Sequence, residues 1–259
     1  MEHGALLKAS NVSHFFGGLC AVSEFNLSLR HGELIGIIGP NGAGKTTLFN
    51  IMTGIYRPSE GSITFNGKEL IGKTPDRIAA MGIARTFQNI RLFNDLTVLD
   101  NIRIAHYSKV KYHPVEALFH IGRFSAEEAN IRQNSMQLLA LFQLDSFALE
   151  LSKNLPYGLQ RRLEIVRALA SDPQILLLDE PAAGINPREI DQLKELIQWI
   201  RKEFHLTIIL IEHQMRLVMD ICERLKVLDF GTTIAEGTPR EIQNNAKVLV
   251  AYLGRKIVE

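Results

Sequence analysis

The chain has 259 residues, a formal net charge of +1, 46 % hydrophobic residues and two cysteines. That charge balance gives no overall field to favour nucleic acid or anionic lipid. Cys20 and Cys222 have no metal-type spacing and suit a reducing compartment. The N-terminus, Met1-Glu2-His3-Gly4, lacks the basic and apolar regions of a signal peptide. No stretch approaches the ~20 apolar residues of a membrane span, so any membrane role is expected to come through a partner. The length suits one large α/β domain, or a core with a smaller subdomain.

The first elements alternate as strands do, with Leu6, Leu7 and Val12, then Phe25, Leu27 and Leu29. His31-Gly32 turns into the apolar run Leu34-Ile35-Gly36-Ile37-Ile38, read as a buried strand. A glycine-rich loop follows, and Leu48 to Thr53 then reads as the start of a helix. Gly61 to Phe65 followed by Asn66-Gly67 carries a hairpin signal. The opening third thus mixes antiparallel strands with one buried strand.

The middle changes character. Thr97 is expected to cap a helix running to about His106, and Ser125-Ala126-Glu127-Glu128 reads as a capping box. Ile131, Met136, Leu138, Leu139 and Phe142 recur at near-helical spacing, so residues 89–155 read as a helical subdomain. Residues 107–124 look like a loop or irregular insertion. His106, His113 and His120 are seven apart, but Pro114 interrupts any helix joining them, and a solvated loop is expected rather than a metal site. Strands are then expected at Ile175–Leu178, Leu206–Ile211 and Leu225–Leu228, with Asn186-Pro187 opening a helix through Trp199. Such alternation indicates a largely parallel sheet with helices on its faces. Arg161 and Arg162 read as a helix face, and Trp199 with Leu193, Leu196 and Ile200 as a core stripe.

The loop between strand and helix is Gly39-Pro40-Asn41-Gly42-Ala43-Gly44-Lys45-Thr46-Thr47, which has the pattern of a phosphate-binding loop. Its glycines let backbone N–H groups approach phosphate oxygens, and the helix N-terminus adds its dipole. Lys45 would reach the β/γ-phosphates and the Thr46 hydroxyl would ligate Mg²⁺. The strand at 175–178 delivers Asp179 and Glu180 at its C-terminal end, where ligands sit in open parallel sheets. Asp179 is expected to hold Mg²⁺, directly or through water, and Glu180 to polarise the attacking water. His213 follows the strand ending at Ile211-Glu212, where its imidazole would donate to the γ-phosphate. Gln88, in Arg85-Thr86-Phe87-Gln88-Asn89, offers an amide to Mg²⁺ or the water where the sheet gives way to the helical region.

The segment Leu155-Pro156-Tyr157-Gly158-Leu159-Gln160-Arg161-Arg162-Leu163-Glu164 completes an ordered set. Phosphate-binding loop, Gln88, this segment, Asp179-Glu180 and His213 together resemble the nucleotide-binding subunit of an ATP-binding cassette (ABC) transporter, across essentially the whole chain. The resemblance implies a nucleotide-hydrolase core with a mixed sheet flanked by helices, an N-terminal antiparallel β-subdomain and an inserted α-helical subdomain. It divides the chain into a core at 1–88 and 156–259 and a helical part at 89–155. It implies that Gly158 opens a helix facing the γ-phosphate held by the other protomer of a head-to-tail dimer, and that Phe16 stacks on adenine, core packing being the plainer use of that ring. ATP and Mg²⁺ are the implied cofactors.

Two departures stand out. Pro156 occupies the place of the usual signature serine, with Tyr157 and Leu159 replacing a glycine and a glutamine, so no serine hydroxyl reaches the γ-phosphate from this chain. Asn186 stands where most members have Asp. These departures, with Arg91-Leu92-Phe93, Pro181 to Pro187 and Ala251-Tyr252-Leu253-Gly254, look like the bacterial branched-chain amino acid importer ATPases. Urea-importer and lipopolysaccharide-export ATPases are similar, and a soluble non-transport ABC ATPase is the alternative from another class. The implied partners are a second ATPase chain, identical or related, two integral-membrane permease subunits and, indirectly, a periplasmic or lipid-anchored solute-binding protein. The implied location is peripheral, on the cytoplasmic face of the inner membrane.

Overall fold

The computed structural model describes residues 4–107, 110, 116 and 123–253. It divides into two compact units, Met1–Ile78 with Gln174–Glu259, and Ala79–Pro173.

The first unit holds two sheets. Strands β1 (Leu7–Phe16), β2 (Leu19–Leu29), β4 (Glu60–Phe65) and β5 (Lys68–Glu69) form an antiparallel sheet in the order β2-β1-β4-β5. The turn of β4 into β5 uses Asn66 and Gly67, both at positive φ, as the hairpin signal required. The other sheet of this unit runs β10-β9-β3-β8-β7, with β3 (Leu34–Ile38), β7 (Ile175–Asp179), β8 (Thr207–Ile211), β9 (Arg224–Asp229) and β10 (Thr232–Gly237). β3 pairs in parallel with β8 and β9, and β7 with β8, while β10 closes one side antiparallel to β9. Every residue of β3, β7 and β8 is buried. Near-continuous apolar runs suit strands covered on both faces, which is why these sequences do not alternate.

Register sets what this sheet can present. Ile37 lies opposite Ile211, and Ile211 opposite Asp179. The chain segments that leave β3, β7 and β8 therefore start from one level on one edge.

Helix α1 (Lys45–Met52) follows β3, and α2 (Pro75–Ala80) ends near the unit boundary. The second unit contains β6 (Ile83–Arg85), α3 (Val98–His106), α4 (Phe124–Leu141) and α5 (Tyr157–Ala170). Thr97 caps α3, its hydroxyl accepting from the Asp100 amide at 3.0 Å. The capping box read at Ser125 to Glu128 is not where α4 begins. That helix already starts at Phe124 with Arg123 ahead of it, so Ser125 lies inside the first turn and cannot cap it. His106 ends α3, whereas His113 and His120 lie outside the described residues.

Back in the first unit come α6 (Pro187–Glu203), α7 (Met215–Ile221), α8 (Pro239–Gln243) and α9 (Ala246–Leu253). Asn186 opens α6 reciprocally with Glu189: its side chain accepts the Glu189 amide, and Glu189 accepts the Asn186 amide, each at 3.1 Å. Trp199 is only half-buried and meets Phe204 edge-on at 6.1 Å, while Leu193 and Ile200 lie in the core.

Gly36 marks the tightest packing in the central strand. A Cβ there would come within 2.6 Å of Leu225 Cδ2 and 3.0 Å of Cys222 Sγ. Gly36→Val should therefore cost about 1–3 kcal/mol through overpacking, read as a lower urea midpoint at unchanged slope.

Candidate functional site

The loop after β3 is shaped by backbone contacts that only glycine permits. Gly39 has φ 152°, and a Cβ on it would lie 2.1 Å from the Leu228 carbonyl oxygen. Gly44 precedes α1 at φ 97°, with the Ala21 carbonyl oxygen 2.3 Å from any Cβ. The Gly231 amide donates to the Ala43 carbonyl at 3.1 Å, so the β9–β10 turn supports the loop. Asn41, Gly42 and Thr46 are exposed, Gly44 and Thr47 partly so.

Lys45 is the first residue of α1 and is buried. Its ammonium donates to the Gly39 and Pro40 carbonyls at 2.8 and 2.9 Å. An ammonium has three donors, so this pair of bonds orients the group while leaving it capacity for a phosphate. Burial lowers its pKa, and the charges of Glu180 and then Asp179 oppose that shift.

Asp179 ends β7 and is buried; Glu180 follows at φ 45°, a left-handed conformation rare outside glycine. The Glu180 amide donates to the Ile211 carbonyl at 2.8 Å. His213 Nδ1 lies 3.6 Å from Glu180 Oε2. The first unit thus brings Lys45, Asp179, Glu180 and His213 together at the edge that the register predicts.

Glu212, read from sequence only as the end of a strand, is the hub of this edge. It is fully buried. Its Oε1 accepts the Ala182 amide at 2.7 Å, and its Oε2 accepts the amides of His213 and Gln214 at 2.9 and 3.0 Å. One carboxylate therefore ties the segment after β7 to the segment after β8. The available signal was a carboxylate closing an otherwise apolar run, because a buried charge needs several donors.

Tyr252, part of the C-terminal sequence signature, has its phenol pKa pushed up to about 12 by desolvation. Phe16 sits at the end of β1, 45 % exposed, beside the Gly17-Gly18 turn.

The other two expected site residues belong to the second unit. Gly158 lies in the first turn of α5, which begins after Pro156; residues 156–158 are exposed and nothing stands within 4 Å of a Cβ on Gly158. Gln88 lies in a loop held by Arg161, which is fully buried rather than part of an exposed helix face. The Arg161 guanidinium donates to the Phe87 and Gln88 carbonyls at 2.7 and 2.8 Å and pairs with Glu164 at 2.9 Å. Glu164 in turn accepts the amides of Phe87 and Arg91 at 3.3 and 3.2 Å. The Gln88 loop and α5 are thereby one hydrogen-bonded piece.

A family model described as "ABC transporter" matches residues 22–183. The chain belongs to the ABC transporter family. A second model, "Branched-chain amino acid ATP-binding cassette transporter", matches residues 232–257 of this cassette. The chain is 45 % identical over 249 residues to the high-affinity branched-chain amino acid transport ATP-binding protein LivG of Salmonella typhimurium, covering 96 % of this chain and 98 % of that one. BraF of Pseudomonas aeruginosa, of the same description, is 43 % identical over the same shares. The lipopolysaccharide export ATP-binding protein LptB of Haemophilus influenzae is 31 % identical over 97 % of this chain and 98 % of its own length. Among solved structures, the ADP conformation of MJ1267, an ATP-binding cassette of an ABC transporter, superposes with a TM-score of 0.83 at 29 % identity, over 96 % of this chain and 99 % of that one. The cassette is an ATPase, and its mixed sheet with flanking helices is the fold its sequence implied. No helix among the described residues is long and apolar enough to cross a membrane.

Replacing Glu212 with Leu would strand the Ala182, His213 and Gln214 amides. An unsatisfied buried group costs about 1–3 kcal/mol, so Glu212→Leu should lower unfolding stability by at least that much and reduce ATPase turnover. Denaturant titration and a phosphate-release assay measure the two effects.

Proposed function

We propose that this cassette powers uptake of branched-chain amino acids through separate membrane subunits. The observation that carries the cargo assignment is the 43–45 % identity to LivG and BraF over nearly full length; the match at 232–257 supports it independently. The lipopolysaccharide-export relative is more distant, at 31 %.

In this reading, the loop amides from Gly39 to Thr47 cradle the phosphates and Lys45 binds the β/γ-phosphates. Its two carbonyl contacts preorganise it, so little freedom is lost on binding. Glu180 is the general base, accepting the proton of the attacking water, and His213 donates to the γ-phosphate. The 3.6 Å spacing between Glu180 and His213 supports assigning base and donor to the same phosphate, and Glu212 holds the backbone on both segments. Thr46 and Asp179 supply a hydroxyl and a carboxylate, hard oxygen donors that fit Mg²⁺. When bound, that ion would neutralise charge on the phosphate oxygens. Gln88, carried by the second unit, is assigned to the ion or the water on the order of motifs alone. Phe16 offers its exposed face to adenine.

A second ATPase chain, identical or related, would bring its own α5 N-terminus to this loop, and the exposed turn at Pro156 to Gly158 supports that use. Without the signature serine, backbone amides and the helix dipole carry the contact. Permease segments would dock on the second unit, in a groove of about 590 Å³ beside the Gln88 loop, lined by Phe87, Arg91, Phe93, Ile104 and Arg167. Phe93 is half-exposed while its backbone is fixed by Asn101 and Ser152, so the ring is held out for contact. Arg91 and Arg167 lie over the Phe87 and Phe93 rings, giving a surface that is apolar and cationic together. The chain would then sit on the cytoplasmic face of the inner membrane, with a solute-binding protein acting from the other side.

A positioned base is worth ~10²–10⁴ in rate. Glu180→Gln should therefore bind ATP normally and hydrolyse it at least ~10²-fold more slowly, whereas Lys45→Ala should lose nucleotide affinity by calorimetry. Wild-type turnover in Glu180→Gln would remove the base assignment. Phe93→Asp should retain ATP binding and fail to co-purify with the permease subunits in detergent; undiminished co-purification would rule out the groove.

A further inference from the structure

Phe16 is one of three rings packed together in the first unit. His14, also on β1, meets Phe16 edge-on, with centroids 4.6 Å apart and planes at 88°. Tyr56 stacks on His14 at 5.5 Å and 6°, and meets Phe16 edge-on at 5.3 Å and 82°. His14 is only 9 % exposed, and among the described residues neither of its ring nitrogens has a hydrogen-bond partner. An imidazole buried this way forfeits its solvation without repayment in hydrogen bonds. Its engagement is through the two neighbouring rings.

Tyr56 connects this cluster to the phosphate end. The amides of Ile55 and Tyr56 both donate to the Asn50 carbonyl, at 2.8 and 3.1 Å, and Asn50 lies on α1, which starts at Lys45. Ser59 bonds β1 from the same segment, its amide donating to the Ser13 carbonyl at 2.8 Å and its hydroxyl accepting the Phe15 amide at 3.3 Å. A continuous path of backbone bonds and ring contacts thus runs from Lys45 through α1 and Tyr56 to His14 and Phe16.

We propose that His14 and Tyr56 are positioning residues for the purine base. They hold Phe16 perpendicular to themselves and half-exposed, at a distance from the phosphate loop set by α1. This rests on the reading that Phe16 stacks on the base, and deepens it: the specificity for a nucleotide over a bare phosphate chain comes from the three-ring cluster. Aromatic pairs of this geometry have a preferred orientation, and an ordered platform loses less freedom on binding than a mobile one.

The test compares ATP with inorganic tripolyphosphate, which offers phosphates and no base, in the full chain by calorimetry. Phe16→Ala should weaken ATP about tenfold or more and leave tripolyphosphate unchanged. His14→Ala should weaken ATP about threefold to tenfold, again with tripolyphosphate unchanged, and Tyr56→Ala should do likewise. His14→Phe, which keeps a ring without the orphaned nitrogens, should restore ATP binding. If Phe16→Ala lowers the ATP preference and His14→Ala does not, the positioning proposal fails while base stacking stands. If Phe16→Ala leaves the preference intact, base stacking fails and takes the proposal with it. Equal loss of both ligands in His14→Ala would mark a purely structural residue and overturn the proposal.

Discussion

The parallel pairing of β3, β7 and β8 holds Ile37, Ile211 and Asp179 at one level, and the proposed nucleotide site is built outward from that line. Each strand is buried along its whole length, and apolar but for Asp179 and Thr207 at strand ends, so sliding one by a residue would disrupt packing on both faces. From this edge the chain needs only one or two residues to reach Gly39, Glu180 and His213. The placement of these residues therefore derives from a buried, close-packed sheet, and the loops inherit it.

Both units use a buried carboxylate to keep irregular backbone in shape. Glu212 gathers three amides from two segments, and Glu164 gathers two amides while paired with Arg161. A carboxylate has about four acceptor positions, which makes it an efficient anchor for loops that lack partners in a sheet or helix. Burying the Arg161–Glu164 pair carries a desolvation cost. The backbone bonds made by both side chains offset it and fix the Gln88 loop to α5.

Much of the first unit was legible in its residues. The strand, glycine loop and helix at 34–53 carry their own steric logic, and the carboxylates after Leu178 follow from where ligands sit in parallel sheets. The hairpin at Asn66-Gly67 and the caps at Thr97 and Asn186 are local events, decided within a few residues, and they formed as expected. Ser125 failed for the converse reason: a capping pattern works only if the chain enters the helix there, and α4 begins one residue earlier. Arg161 read as part of a helix face, and its burial was not visible locally because long cationic side chains are usually exposed. Its burial depends on carbonyls at Phe87 and Gln88, far away in sequence.

The sequence by itself determined the local chemistry: which loop can wrap phosphate, which strands are buried, and which carboxylates end them. These follow from residue type and short-range spacing, which act within a turn or a strand. The tertiary structure decided the strand order β10-β9-β3-β8-β7, the shared level of three strand ends, the burial of Glu212 and Arg161, and the ring cluster behind Phe16. Each of these joins segments distant along the chain, and the energy of a buried charge or a packed ring depends on the partners that folding brings to it.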